Sequence, residues 1–397
     1  MRAHHSGGPK VRIGARTAAN IAAGLLALGV VGCGGDDGAA ELGDESETAG
    51  ESGDTQSEGS EDPSGDGDGD GDGDNTSDPD SGETGDPGPQ GVFVAVGDGG
   101  RRASSNDALT WAEIVGSGVV DTQAEEGEED ILRAVAVGDG VVIAVGGGGS
   151  DWNGNAMIMR SVDGETWDED LVAGLDGLDD RKLDAVGFAD GVFIAAGHQS
   201  HVLRSDDGGL SWTRVYGEHH SDTTVFGVAG HAGTFVLVGS HKDSYDAPKV
   251  AYVQRSTDDG LSFGAPVYSG DDGDFLNSVA TNGEVFVAVG PNQCLRSGDG
   301  SSWESCGVGG SSYGAVSFTR DRFVVTYLDG VSTSDDGQSW SAHVESPTGV
   351  PAEIVFGNGV YAGLRYYDRG TSEVLGEWAY VNHGGFPLRD LAFLPVE

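Results

Sequence analysis

At 397 residues the chain has room for one large domain or two ordinary ones, and 70 glycines against three methionines suit many short strands and tight turns better than helices. The formal net charge of -45 is unevenly spread: residues 1–33 carry four basic and no acidic side chains, residues 34–90 twenty acidic and no basic ones, and residues 91–397 a net -29. A surface that acidic repels phosphate backbones, which excludes nucleic acid as a partner and leaves cationic ligands, divalent metals or plain solubility as its use.

The chain starts with Arg2, Lys10, Arg12 and Arg16, followed by an apolar run from Ile21 to Val31 and then Gly32-Cys33. A basic start and a short apolar run mark an export signal, and the run is too short for a comfortable membrane-spanning helix. Val30-Val31-Gly32-Cys33 resembles a bacterial lipobox, whose cysteine is diacylated and becomes the mature N-terminus. The alternative is an ordinary signal peptide with an incidental cysteine. On the resemblance, residues 1–33 are a lipoprotein signal peptide, Cys33 is the lipidation site, and the membrane is a partner through the lipid anchor. The resemblance also implies a bacterial cell-envelope location, and Gly34 rather than aspartate after the cysteine implies the outer membrane or cell surface.

Residues 34–90 are Gly, Ser, Asp, Glu, Thr and Pro, with strict Gly-Asp alternation from Gly65 to Asp74. No stretch there has the apolar content to offset ordering entropy, so the segment is expected to be a disordered linker. A flexible chain of that length spans roughly 40 to 45 Å, and self-repulsion lengthens it. The alternation does not make a calcium loop: one starting at Asp66 needs Glu at its twelfth position and has Ser77, and one starting at Asp68 has Pro79.

Alternation of another kind begins at Gly91. Gly91-Val92-Phe93-Val94-Ala95-Val96-Gly97 reads as a strand, and Val141 to Gly146, Val192 to Gly197, Phe235 to Gly239 and Val285 to Gly290 repeat it. Most follow a hairpin turn, as at Asp139-Gly140, Asp190-Gly191, Asn282-Gly283 and Asn358-Gly359, with another strand before the turn. A third feature recurs with them. Ser161-x-Asp163-Gly164-x-Thr166-Trp167, Ser205-x-Asp207-x-Gly209-x-Ser211-Trp212, Ser256-x-Asp258-x-Gly260-x-Ser262-Phe263 and Ser297-x-Asp299-Gly300-x-Ser302-Trp303 are versions of one hairpin. Thr333-x-Asp335-x-Gly337-x-Ser339-Trp340 reads as a fifth version, and Ser104-x-Asn106-x-Ala108-x-Thr110-Trp111 as a worn sixth. The hydroxyl and carboxylate offer acceptors to turn amides, the glycine takes φ > 0, and the aromatic anchors the returning strand. Arg160, Arg204, Arg255 and Arg296 each precede a first serine, so that arginine belongs to the repeat as a packing residue.

This hairpin resembles the Asp-box (BNR) repeat of sialidase-like β-propellers. The resemblance covers residues 91–397 and implies an all-β fold: units of about 44 residues, each a four-stranded blade. Seven blades are expected, the seventh without a recognisable Asp-box. The first unit begins at its second strand, and Leu388 to Phe393 supplies the missing one, closing the ring. Cys294 and Cys306 flank one hairpin, on strands that should be neighbours, and in an exported protein they are expected to form a disulfide.

If the Asp-boxes close one face, the irregular loops rise on the other, where propellers usually bind ligands. His198, His201, His219, His220 and His241 would rise there with Glu218, Asp222 and Asp243, so a divalent metal is the cofactor this face could hold; the composition itself calls for none. Sialidases of this superfold bring three arginines onto a carboxylate. Arg133 and Arg389 occupy equivalent positions here, but Asp184 stands where a third would be, and the Arg-Ile-Pro signature is absent. Photosystem assembly factors resemble the repeat in length and turn pattern, yet nothing here implies a photosynthetic partner. The expected function is therefore non-catalytic binding of a surface glycan, peptide or partner protein by a monomer. The alternative is an exo-glycosidase or other carbohydrate-active enzyme on the same scaffold.

Overall fold

The alternation that begins at Gly91 builds seven four-stranded antiparallel sheets, a seven-bladed β-propeller with no helix among the described residues. The computed structural model describes residues 88–397 except 115–130, 148–155, 169–180, 216–221, 245, 270–272, 310–312, 366–367, 383–386 and 397. Cys33 and the acidic linker up to Pro87 lie outside the described residues.

In each blade the strands are a to d in hydrogen-bonding order. Blade 1 uses Leu388–Pro395 as strand a, then Gly91–Gly97, Arg101–Ser105 and Ala112–Ile114. Strands a of blades 2 to 7 are Ile131–Gly138, Leu183–Ala189, Thr223–His231, Ser278–Thr281, Val316–Thr319 and Glu353–Gly357. Each strand a packs on that of the next blade, and the circuit closes from Glu353–Gly357 onto Leu388–Pro395. Closure joins the two ends of the domain: Phe93 pairs with Phe393, Val94 with Ala392, and Asn358 of blade 7 bonds both Gly91 N and Gly91 O, so no bare edge is left there.

Strand b is buried on both faces, as an inner strand of a packed sheet must be, and one large side chain on it faces the first serine of each hairpin. Phe93 opposes Ser105, Phe193 opposes Ser205, Phe235 opposes Ser256, Phe286 opposes Ser297, Phe323 opposes Ser334 and Tyr361 opposes Ser372, while blade 2 uses Val142 against Ser161. The five phenylalanines are fully buried, each contributing about 2–3 kcal/mol.

This register corrects two hairpins. In blade 6 the turn is built on Ser334 and Asp336, not on Thr333 and Asp335: Asp336 accepts Gln338 N at 2.8 Å, Ser339 N at 2.7 Å and the Ser334 hydroxyl at 3.0 Å. Asp335 stands one place too early, because a seven-residue form of the turn puts the paired aspartate immediately before Gly337. In blade 1 the turn is Ser105 and Asp107 rather than Ser104 and Asn106. Asp107 accepts Leu109 N at 2.8 Å and Thr110 N at 2.6 Å, so the hairpin keeps its aspartate and departs from the pattern only at Ala108, held at φ 57°.

The other turns follow the same chemistry. Asp163 accepts Glu165 N and Thr166 N, Asp207 and Asp258 each accept from a serine four residues on, and Asp299 accepts Ser301 N and Ser302 N. Trp111, Trp212 and Trp303 donate Nε1 to the carbonyl of the residue three back, Trp340 donates to Cys306 O at 2.9 Å, and Trp167 and Phe263 pack into inter-blade clusters. Gly209 shows why glycine is required: at φ 80°, an added Cβ would lie 2.3 Å from Ile143 Cδ1 of the preceding blade.

The arginine before the serine clasps the next blade. Arg160 Nε donates to Gly208 O at 2.8 Å, Arg204 Nε to Asp259 O at 2.7 Å, Arg255 Nη1 to Asp299 O at 2.8 Å and Arg296 Nε to Asp336 O at 2.9 Å. Each acceptor is the residue just before the turn glycine, so four seams share one device. Cys294 and Cys306 form the disulfide, with their Cα atoms 5.4 Å apart.

Candidate functional site

Strand a of blades 1 to 4 carries one extra residue where it begins, on the face opposite the c-to-d turns. The registers slip at Arg389, Arg133, Asp184 and Phe226. The cause lies on strand b, where Gly97, Gly146, Gly197 and Gly239 stand: a Cβ there would be 2.1, 1.8, 2.1 and 2.0 Å from the carbonyl oxygens of Pro387, Ile131, Lys182 and Thr224. Only glycine lets the two backbones come so close, and the bulge turns the extra side chain toward the channel mouth. Gly290 repeats the approach to Phe275 O in blade 5, beside Asn277, whose side chain donates to Gly314 O at 2.8 Å.

The mouth so formed is cationic on one side and aromatic on the other. Arg389 makes a bidentate contact with Asp98, its Nη2 donating to Oδ2 at 3.0 Å, and Arg133 Nε lies 3.6 Å from Asp184 Oδ1. Arg133, Lys182 and Arg389 all act electrostatically on Asp184, and Lys182, Arg133, Lys249 and Arg181 on His198. Lys249 Nζ lies between two rings, 5.7 Å from the centre of Phe226 and 5.1 Å from that of Phe275, and burial lowers its pKa. Five cations thus stand on neighbouring blades of a domain with net charge -29.

Behind these cations lie carboxylates that burial drives toward neutrality. Asp184, with 16 % of its side chain exposed, is pushed up to about 6 by burial, against the pull of the three cations. Its Oδ2 and Arg133 Nε are buried without a hydrogen-bond partner. Asp390, one residue past Arg389, accepts Val135 N of blade 2 at 2.7 Å and Leu391 N at 2.8 Å. Burial pushes it well up, and Glu353 on strand a of blade 7 is pushed up by burial and by the charge of Asp390, so the pair titrates as one unit.

His198 Nδ1 shares a hydrogen bond with Thr224 Oγ1 and His241 Nδ1 one with Thr223 Oγ1, each 2.9 Å. Burial first, and then the surrounding cations, lower His198 to about 4, which keeps it neutral. His201 is buried, His241 Nε2 is 3.5 Å from Asp243, and His219 and His220 lie outside the described residues. Among the described residues no group of three His, Cys, Asp or Glu side chains is placed to hold a metal ion. Sequence reading placed Arg133, Arg389 and Asp184 at one repeat position but missed Lys182, Lys249, Asp390 and Glu353. A signal existed for Asp390, which follows Arg389 where blade 2 has Ala134.

No family model and no curated protein matches the chain. Solved structures similar to it include YCF48 from Cyanidioschyzon merolae, at 16 % identity over 65 % of this chain and 86 % of that one, with a TM-score of 0.45. Another is YCF48 bound to D1 peptide, at 15 % identity over 65 % and 84 %, with the same score. A third is a protein of unknown function from Dyadobacter fermentans, at 17 % identity over 64 % and 94 %, with a TM-score of 0.40. The propeller assignment rests on this chain's own seven sheets.

Proposed function

We propose that this is an exported lipoprotein, anchored through Cys33, whose propeller binds an anionic ligand, carried by a surface glycan, peptide or partner protein, at the channel mouth. The observation that carries the binding site is the grouping of Arg133, Arg181, Lys182, Lys249 and Arg389 on an otherwise acidic domain. Fixed positive charge draws in the opposite charge, while the acidic net charge of the domain turns it away elsewhere. Phe226 and Phe275 add apolar surface beside the cations, the mixture that ligand pockets usually present.

Anchoring fits the same arrangement. The chain reaches the propeller through Gln90 and Gly91, beside Asn358 of a hairpin turn, on the face opposite the mouth. Two acyl chains on Cys33 give stable membrane attachment where one chain is marginal.

The experiment is a thermal-shift and calorimetric screen of the purified full chain against acidic, neutral and basic glycans and peptides, with Arg133→Ala beside the wild type. Acidic ligands should raise the Tm by a few degrees at about a hundred times their Kd, and the variant should lose that response. A response confined to neutral or basic ligands would refute the anionic site, and turnover of a glycan would make the chain an enzyme. Cys33→Ala should release the protein from membranes, and unchanged fractionation would refute the anchor.

A further inference from the structure

We propose that the channel mouth is tightened by acid: carboxylates buried behind its cations take up protons as the pH falls, and the anionic ligand is then held more firmly. The inference rests on the reading of the mouth as an anion site and adds its regulation. Its basis is placement. Asp184, Asp390 and Glu353 lie on strands a of blades 3, 1 and 7, and Arg133 lies on strand a of blade 2 between the first two. The four strands are consecutive around the channel, so the acids and the cations share one arc of wall.

The groups facing Asp184 come from every side. Arg133 approaches from blade 2, Arg389 from blade 1 and Lys182 from its own chain segment, while His198 stands at the end of strand b in the same blade. His198 stays neutral across the relevant range, so it adds no competing charge. Asp390 faces Val135 N, Leu391 N and Glu353, and its neighbour Arg389 is paired with Asp98. When Asp184 is ionised it offsets one of the cations around it, and when it is protonated that cation's field reaches the ligand in full. Burial pushes all three acids upward, Asp184 to about 6, so its proton uptake falls within the mildly acidic range.

Removing one negative charge at roughly 8 Å from a multiply charged anion, in a partly wet mouth, strengthens binding roughly fivefold. The probe is pyrene tetrasulfonate, whose charge is constant across the range, bound to the full chain at fixed ionic strength and read by fluorescence anisotropy from pH 8 to pH 5. The wild type should gain at least that factor on acidification. Asp184→Asn should already bind tightly at pH 8 and lose much of the slope, and Asp335→Asn, an exposed acid on the opposite face, should keep the whole slope.

A second measurement needs no variant. Binding that favours the protonated mouth must take up protons, so calorimetric titration of the wild type at pH 6.5 in two buffers of different ionisation enthalpy should show net uptake. Binding with no slope and no proton uptake overturns the switch and leaves the anion site standing. No binding at any pH removes the anion site and the switch with it, and a full slope in Asp184→Asn refutes the assignment to that residue.

Discussion

Blade 6 offers two adjacent aspartates for one turn, so replacing each by alanine tests the turn geometry directly. Asp336 accepts two backbone N–H groups, from Gln338 and Ser339, and two hydroxyls, Ser334 at 3.0 Å and Ser339 at 3.0 Å. The N–H groups of Ser339 and Gln338 hold its carboxyl well below the usual carboxylate range. Asp335 gives the neighbouring blade its backbone carbonyl, at 3.3 Å from Asn282 Nδ2, and alanine keeps that carbonyl. Loss of a capping carboxylate costs about 1 kcal/mol, and the additional charge-assisted donors bring Asp336→Ala to about 1–2 kcal/mol. Asp335→Ala should stay within about 0.5 kcal/mol. Urea denaturation followed by tryptophan fluorescence should show a lowered midpoint at unchanged slope for the first variant alone. Equal losses, or a larger loss at Asp335, would refute the seven-residue turn.

Arg204→Ala should cost about 1 kcal/mol, because the Nε bond to Asp259 O is lost from a partly exposed seam, and Arg204→Lys should recover little since its ammonium lacks the guanidinium fork. Cys294→Ser opens a bridge spanning 12 residues. Loop entropy puts that at about 3 kcal/mol, so a reducing agent should lower the wild-type Tm toward that of the variant and leave the variant unmoved. Between about pH 4 and 6 folded Asp184 carries a proton that the unfolded chain has lost, so stability falls as the pH rises through that window, by about 1–3 kcal/mol. Asp184→Asn should therefore raise the Tm at pH 8 and change it little near pH 4.5; an unchanged Tm at pH 8 would show that Asp184 is not held up by burial.

Sequence spacing was sufficient for the number of blades, the closing strand and the disulfide, because each follows from a repeat of strands and turns whose period is visible in one chain. The register of two hairpins was not, for a specific reason. Thr333-Ser334-Asp335-Asp336 can be read as an eight-residue or a seven-residue form of the turn, and so can Ser104-Ser105-Asn106-Asp107, although there only the seven-residue form keeps an aspartate. Counting from strand b decides between them: Phe93 and Phe323 must face Ser105 and Ser334. The same count finds Ser372 in blade 7, opposite Tyr361, with Val374 where the aspartate would be. The Glu353 and Asp390 pair was beyond reach, because its coupling depends on burial and on two strands adjacent only in the closed ring.

The mouth shows how a repeat protein keeps its backbone while freeing its side chains. At one position, beside a glycine whose missing Cβ admits a carbonyl, five consecutive blades present Arg389, Arg133, Asp184, Phe226 and Asn277. The glycine is constrained by contact and so recurs, whereas the bulged residue changes from blade to blade with the partners around it. Blade 6 departs from the scheme, with Thr326 on strand b and Gly314 opposite it, the hydroxyl lying where a Cβ would otherwise stand. A position held by backbone geometry but free in chemistry is where one scaffold can change ligands. The five side chains there, more than the hairpins that identify the fold, are therefore the first positions at which to test the proposed binding.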